Sequence, residues 1–315
     1  MLYREVQSKD IDDIIQIWNS SIFQDNIEKA QLVKYVFCDE NYDSRYFQVA
    51  LDEDKVVGFI IGMKRKYPYW EKGLQKDKAW ITAMAVDPYY RRQGIAGELL
   101  RRIDEIWYKE GINQISLGTY SPNYFFSGIW EGYKKAAEFF TSKGFKKRDA
   151  AYWMSRSLNG YKIPLSIDER KKQKESVGYS FISFNWNYGL DLIEFMKENF
   201  SVGWRKHIIE AMNNNQAEDT VILCLFKDSI VGYVQRSIDG NPSRFGPFGV
   251  AEKYRNEGLG AILIHEMWKS MEEKKIPYVF FKSTEENGRR FYERQGMHVD
   301  RVFYHYDMVK AISDL

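Results

Sequence analysis

Arg91-Arg92-Gln93-Gly94-Ile95-Ala96 and Arg255-Asn256-Glu257-Gly258-Leu259-Gly260 share one pattern, R-x-x-G-x-(G/A). Each follows a short apolar run, and each opens a stretch with helical apolar spacing. A glycine turn entering a helix presents backbone N–H groups that have no intrahelical acceptor, and the helix dipole adds positive potential there. Such a turn suits a phosphate. Two copies predict two related domains with one cradle each.

The rest of the chain repeats around these strings. The first copy reads as a strand at 2–6, a helix with Ile11, Ile14, Ile15 and Trp18 on one face, and a hairpin of 46–50 with 56–60. Then come a strand at 81–86, the turn, and a helix burying Leu99, Leu100, Ile103 and Trp107. A strand near 115–117, a helix through 136–140 and a closing strand near 152–154 complete the unit. The second copy follows the same order from a strand at 179–184, with helices through 192–195 and 204–212 and a hairpin of 221–226 with 230–234.

Lys55-Val56-Val57-Gly58-Phe59 corresponds to Ser229-Ile230-Val231-Gly232-Tyr233. Late in each copy, Phe139-Phe140-Thr141-Ser142-Lys143-Gly144-Phe145 corresponds to Phe291-Tyr292-Glu293-Arg294-Gln295-Gly296-Met297. From hairpin glycine to turn glycine the copies need 36 and 26 residues, and from turn glycine to late glycine 50 and 38. The first copy therefore carries aromatic-rich insertions near 67–71 and 124–130, which either line a substrate cleft or cover core. The charged run 168–175 lacks an apolar period and marks the boundary. This predicts domains at 1–160 and 177–315 with a linker at 161–176.

Composition excludes several classes. With 315 residues, 44% hydrophobic and 16% aromatic, the chain can fill two cores. A net charge of +2 from 46 basic and 44 acidic residues gives no global attraction to nucleic acid or anionic membrane. Lys64-Arg65-Lys66 and Arg170-Lys171-Lys172 read as solvated loops. No segment reads as a signal core or membrane span, so the expected partners include neither nucleic acid nor membrane. Cys38 and Cys224 each sit among apolar residues and read as buried free thiols of a reducing, cytoplasmic protein. No metal is expected: His265-Glu266-Met267-Trp268-Lys269 lacks the second histidine of a zinc helix.

These residues resemble the GCN5-related N-acetyltransferases (the GNAT superfamily), here as a tandem pair. The anchors are Val86-Asp87-Pro88-Tyr89-Tyr90 running into the first turn, Val250-Ala251-Glu252-Lys253-Tyr254 running into the second, and the late Phe291-to-Met297 string. The resemblance implies an α/β fold of the α+β type. Each of its two GNAT-like domains is a mixed, mostly antiparallel sheet, splayed at a central strand and flanked by helices. It also implies acetyl-CoA as cofactor, with its diphosphate on Arg91, Arg92, Gln93, Gly94, Ile95, Ala96 and Gly97, or on Arg255, Asn256, Glu257, Gly258, Leu259, Gly260 and Ala261. Pantetheine would pair with Met84, Ala85 and Val86, or with Phe248, Gly249 and Val250. Neither turn fits G-x-x-x-x-G-K-(S/T) or a full G-x-G-x-x-G.

The string Phe245-Gly246-Pro247-Phe248-Gly249-Val250 predicts an irregular strand, because proline cannot donate a ladder hydrogen bond and glycine weakens a strand interior. By resemblance the reaction is direct acetyl transfer from the thioester to an amine. An oxyanion would form near the backbone N–H of Phe248 or Met84, and Tyr292 would act as the acid that protonates the leaving thiolate. Phe140 occupies the same place in the first copy and has no proton to give. The second domain is therefore favoured as catalytic, with the first shaping the substrate cleft. Asn287 lies near the position of a CoA-contacting asparagine. Glu285, Glu286 and Tyr120 are candidates for a general base, and His265 reads as structural. The acceptor is a small-molecule or peptide amine, and the chain is a monomer or homodimer. The competing reading is a non-catalytic acyl-CoA-binding or scaffold protein that keeps the fold.

Overall fold

The computed structural model describes residues 1–123 and 125–310. In chain order the elements are β1 (Leu2–Glu5), α1 (Ile11–Ser21), α2 (Lys29–Leu32), β2 (Phe47–Asp52), β3 (Lys55–Lys64), β4 (Lys78–Val86), α3 (Ile95–Lys109), β5 (Gln114–Leu117), β6 (Ile129–Trp130), α4 (Lys134–Ser142) and β7 (Lys146–Ser157). There follow α5 (Leu165–Ser176), β8 (Tyr179–Ser183), α6 (Gly189–Asn199), α7 (Val202–Asn213), α8 (Ala217–Thr220), β9 (Val221–Phe226), β10 (Ser229–Arg236), β11 (Phe245–Val250), α9 (Leu259–Glu273), β12 (Tyr278–Phe281), α10 (Glu286–Arg294) and β13 (His298–Val309).

The chain forms two compact units. One holds Met1–Ala151 and the segment from Val302 onward, the other Tyr152–Arg301. In unit one β1, β2, β3 and β4 pair antiparallel, β4 and β5 pair parallel, and the end of β13 lies antiparallel on β5. Its sheet is covered on both faces, which is why β3 is a near-continuous apolar run. Val56, Phe59 and Ile61 face the cluster of Ile14 and Trp18, while Val57 and Ile60 face that of Leu99, Ile103 and Trp107.

Unit two repeats the plan with an antiparallel sheet in the order β11-β10-β9-β8 and a β7–β12 pair. Val231 and Val234 of β10 pack with Leu263, Met267 and Trp268 of α9, and Tyr233 faces Leu192, Phe195 and Ile208 of α6 and α7. The hairpin glycines match because a helix crosses each closely. A Cβ at Gly58 would meet Ile95 at 3.1 Å, and one at Gly232 would meet Leu263 at 3.0 Å.

The unit boundaries differ from the contiguous domains 1–160 and 177–315. Residues 152–154, expected to close the first copy, belong to unit two, where Met154 pairs with Phe281 and is fully buried. Conversely, Phe303 and Tyr304 pair with Trp130 and Ile129 of unit one, and Tyr306 lies in its core. The closing strands are exchanged, and burial of their apolar residues determines the assignment. Met154→Ala should cost about 2–5 kcal/mol, as for other buried large-to-small changes. Hydrogen exchange should then accelerate at residues 278–281 of β12 and stay unchanged in β2 and β3. Acceleration in β2 and β3 instead would assign the residue to unit one.

Other expectations change as well. The linker run is not loop: α5 occupies 165–176, with Ile167 buried against Ala261 and Ile262 of α9. Arg65 is buried rather than solvated, its guanidinium lying over Tyr69, Trp80 and Tyr120. Cys38 is exposed, whereas Cys224 is buried and its thiol pKa is pushed up to about 12 by desolvation. Phe125 and Phe126 pack against Trp18, so this part of the second insertion covers core; Tyr124 lies outside the described residues.

Candidate active site

The two glycine turns fold alike. Arg92 and Asn256 have φ of 65° each, and Gly94 and Gly258 have φ of 82° and 83°. A left-handed pair of this kind turns successive N–H groups toward one side. The first helical hydrogen bonds run from Glu98 N–H to the Gly94 carbonyl and from Ile262 N–H to the Gly258 carbonyl. The N–H groups of 95–97 and 259–261 therefore have no helical acceptor. Arg91 and Arg255 close the turns structurally: each Nε donates to the carbonyl of the preceding strand's last residue, Val86 or Val250, at 3.1 Å.

Beside each turn the sheet opens. In unit one the β4–β5 pairing stops at Ile81 and Leu117, so Ala83 to Val86, including Met84 and Ala85, are paired on one side only. In unit two β11 pairs with β10, with a register shift between Val234 and Arg236 opposite the Gly246-Pro247 step. Its other side is a sheet edge: an isolated bridge joins Arg244, just before β11, to Phe280 of β12, and among the described residues no ladder between the two strands follows it. That irregularity follows from glycine and proline in a strand interior.

In unit two the turn and the open strand edge line one cleft of about 790 Å³. Phe248, Gly249 and Val250 form its strand wall, and the segment Tyr254 to Ala261 forms its glycine-turn end. Phe200 and Trp204 close it with stacked rings 5.4 Å apart, and Phe200 lies where any side chain at Gly249 would project. Phe291, Arg294 and Gln295 line it from α10 and its end. Arg170, Arg255 and Arg294 are its cationic residues against one carboxylate, Glu257. Glu257 is engaged by Lys174 at 2.7 Å and Tyr179 at 3.0 Å, and the lysine holds its pKa below the ordinary carboxylate value.

Tyr292 sits behind the lining residue Phe291, between β11 and β12. Phe281, Phe248 and Phe245 surround its ring at centroid distances of 4.5, 5.7 and 6.2 Å. Desolvation raises its pKa well above 10, so it remains a proton donor. The matching Phe140 of unit one packs on Phe139 and Phe145. Asn287 is exposed on the first turn of α10 and is not among the residues lining the cleft. Glu286 is a poor base: the Arg289 guanidinium at 2.6 Å holds its pKa at about 2. Tyr120, in unit one, is buried and bonded to Asp39 and Asn41.

His265 is buried at 2% exposure, with Tyr161 Oη against Nδ1 and Gln295 Oε1 against Nε2 at 3.1 Å. With Nε2 protonated, the ring donates to Gln295 and accepts from Tyr161, which fixes one face of a cleft-lining amide. Burial pushes the His265 pKa down to about 4, and the Arg156 charge adds to this against the Gln295 hydrogen bond. Because the folded pKa lies below the unfolded value, the stabilisation is intact above about pH 6.5 and is lost as pH falls toward 4, amounting to about 3 kcal/mol. An NMR titration should show one of the four histidines staying neutral to about pH 5. His265→Asn should abolish that resonance, and a titration midpoint near 6.5 would contradict the assignment.

Of the residues read from sequence, 248–250 and 255–261 come together in one cleft, and 84–86 with 91–97 form the equivalent turn and edge of unit one. Sequence reasoning missed Arg170, Phe200, Trp204, Arg294 and Gln295. Arg294 and Gln295 stood within the quoted late string, whereas Arg170 was hidden in a run without apolar period.

Among the described residues no group of histidine, cysteine and carboxylate side chains could hold a metal ion, and no helix is long and apolar enough to cross a membrane. A family model described as "Acetyltransferase (GNAT) family" matches residues 11–125, and another, "Acetyltransferase (GNAT) domain", matches 192–304. Comparison with curated proteins gives no match. The fold is similar to a GCN5-related glucosamine N-acetyltransferase region of a fungal multi-domain GH3 beta-N-acetylglucosaminidase, with TM-score 0.80 and 18% identity over 98% of this chain and 38% of that one. It is also similar to a GCN5-related N-acetyltransferase from Sphaerobacter thermophilus, with TM-score 0.70 and 15% identity over 98% and 95% of the two chains. A tandem GNAT protein from the clavulanic acid biosynthesis pathway gives TM-score 0.64 and 13% identity over 98% of each chain. At these identities the likeness is one of fold.

Proposed function

The chain belongs to the GNAT acetyltransferase family as a tandem two-domain member, and from that premise we propose that it is an acetyl-CoA-dependent N-acetyltransferase whose chemistry resides in unit two. The observation that carries this reading is the unit-two cleft, where a glycine turn with free N–H groups meets an open strand edge, with Tyr292 buried directly behind the lining residue Phe291. The residues fit the cofactor: anion-binding N–H groups and arginines stand at one end and an apolar, aromatic wall at the other.

The cofactor's thioester supplies an activated acetyl group and a thiolate leaving group. The N–H groups of 259–261 would hold the diphosphate, and the free edge of 248–250 would orient the pantetheine amides. The Phe248 N–H would be the donor facing the thioester oxygen. Tyr292 would supply the proton that the thiolate needs as the C–S bond gives way to the new N–C bond. Glu257, the one lining carboxylate, is tied to Lys174, so the ammonium proton of the acceptor leaves through water.

Thiol release from acetyl-CoA, measured against a panel of primary amines, tests the proposal. Turnover with at least one amine is expected. CoA binding without turnover on any amine, the protein's own lysines included, would instead establish a non-catalytic acyl-CoA-binding protein.

A further inference from the structure

Helix α5 carries four cations, and they are not alike. Lys171 pairs with Glu266 at 2.9 Å, Lys172 with Asp168 at 2.7 Å and Lys174 with Glu257 at 2.7 Å. Arg170 has no carboxylate partner among the described residues and lines the cleft beside Arg255 to Ala261. Its side chain lies directly over the phosphate turn: a Cβ built on Gly258 would stand 2.6 Å from Arg170 Cδ, 3.1 Å from Nη1 and 3.3 Å from Nε. Around Gly94, the matching glycine of unit one, the same construction finds nothing within 4 Å.

The placement of Arg170 is built into the packing. Ile167, one turn earlier, is buried against Ala261 and Ile262 on the first turn of α9. Lys174, one turn later, grips Glu257, the residue before the turn glycine. Anchored at both ends, α5 holds an unpaired guanidinium at the point where three N–H groups await an anion. A guanidinium binds phosphate oxygens through two parallel N–H donors, which a lysine ammonium cannot reproduce.

We propose that Arg170, on the helix joining the two sequence copies, is a diphosphate-binding residue of the unit-two cleft, with no counterpart over Gly94 in unit one. This rests on the acyl-CoA reading above. It assigns to the apparent linker a role in cofactor specificity: α5 selects for the phosphate-bearing carrier over the bare pantetheine thioester. Arg170 touches the cofactor far from the reacting atoms, so its loss should appear in binding.

Calorimetric titration of CoA tests this, with Gly94→Glu as the common background so that unit two is read alone. Arg170→Ala should weaken CoA binding by about tenfold or more, the scale of one charge-assisted contact, and should flatten its salt dependence. Arg170→Lys should recover part of the loss. Lys172→Ala, which removes an equal charge from the same helix outside the cleft, should leave affinity unchanged. Acetyl-pantetheine, which lacks the diphosphate, should be bound equally by the parent and Arg170→Ala. Unchanged or tighter CoA binding by Arg170→Ala would overturn the proposal, as would an equal loss with acetyl-pantetheine or with Lys172→Ala. Absence of CoA binding by the parent, with the wild type also inert, would instead overturn the acyl-CoA reading itself.

Discussion

Gly258→Glu is expected to lower the proposed acetyl transfer by about a hundredfold or more, and Gly94→Glu to cost far less. Three effects act together at position 258. Its φ of 83° is left-handed, a conformation that costs a side-chain-bearing residue about 1–3 kcal/mol. The new Cβ meets Arg170 Cδ at 2.6 Å and must displace it. The carboxylate then stands among the N–H groups proposed to hold a diphosphate, where like-charge juxtaposition costs several kcal/mol. At about 1.4 kcal/mol per factor of ten, the hundredfold loss follows from two of the three. Gly94 has equally left-handed backbone but open surroundings, and it serves a unit whose late aromatic is Phe140. Initial rates of thiol release on both variants, with melting curves as a folding control, check the contrast. Equal losses, or a loss confined to Gly94→Glu, would relocate the chemistry.

Tyr292→Phe is expected to lower kcat by about a hundredfold, the lower end of the range for a positioned general acid, with the KM for acetyl-CoA nearly unchanged. The effect stays at that end because a thiolate leaves more readily than an amine or alkoxide. The substitution preserves the ring that Phe245, Phe248 and Phe281 enclose, so packing survives and only the hydroxyl is lost. Desolvation keeps the wild-type hydroxyl protonated above pH 10, so its rate should show no alkaline loss attributable to this group below that pH. A parallel rise in KM, or an unchanged kcat, would mean that Tyr292 is part of the core and not the acid.

The sequence made the repeated turn legible because its requirements are local. Gly94 and Gly258 need φ near 80°, and each helix begins one residue later, so six residues carry the whole signal. The irregular β11 was equally readable, since Gly246 and Pro247 act on their own backbone. The exchange of closing strands was not, because Met154 and Phe303 suit either core by composition and only long-range pairing decides between them. Nor was α5, whose burial rests on Ile167 and whose other contacts are made by charged side chains. Phe200 and Trp204 were hidden for a related reason: aromatic residues at a helix junction read as core until the facing Gly249 shows what they cover.

The central claim is that unit two holds the reacting thioester. A crystal structure of the protein with CoA tests it most directly. The expected density places the diphosphate on the N–H groups of 259–261 and the sulfur between β11 and β12 beside Tyr292. Sulfur density found only in the gap between β4 and β5 of unit one would contradict it.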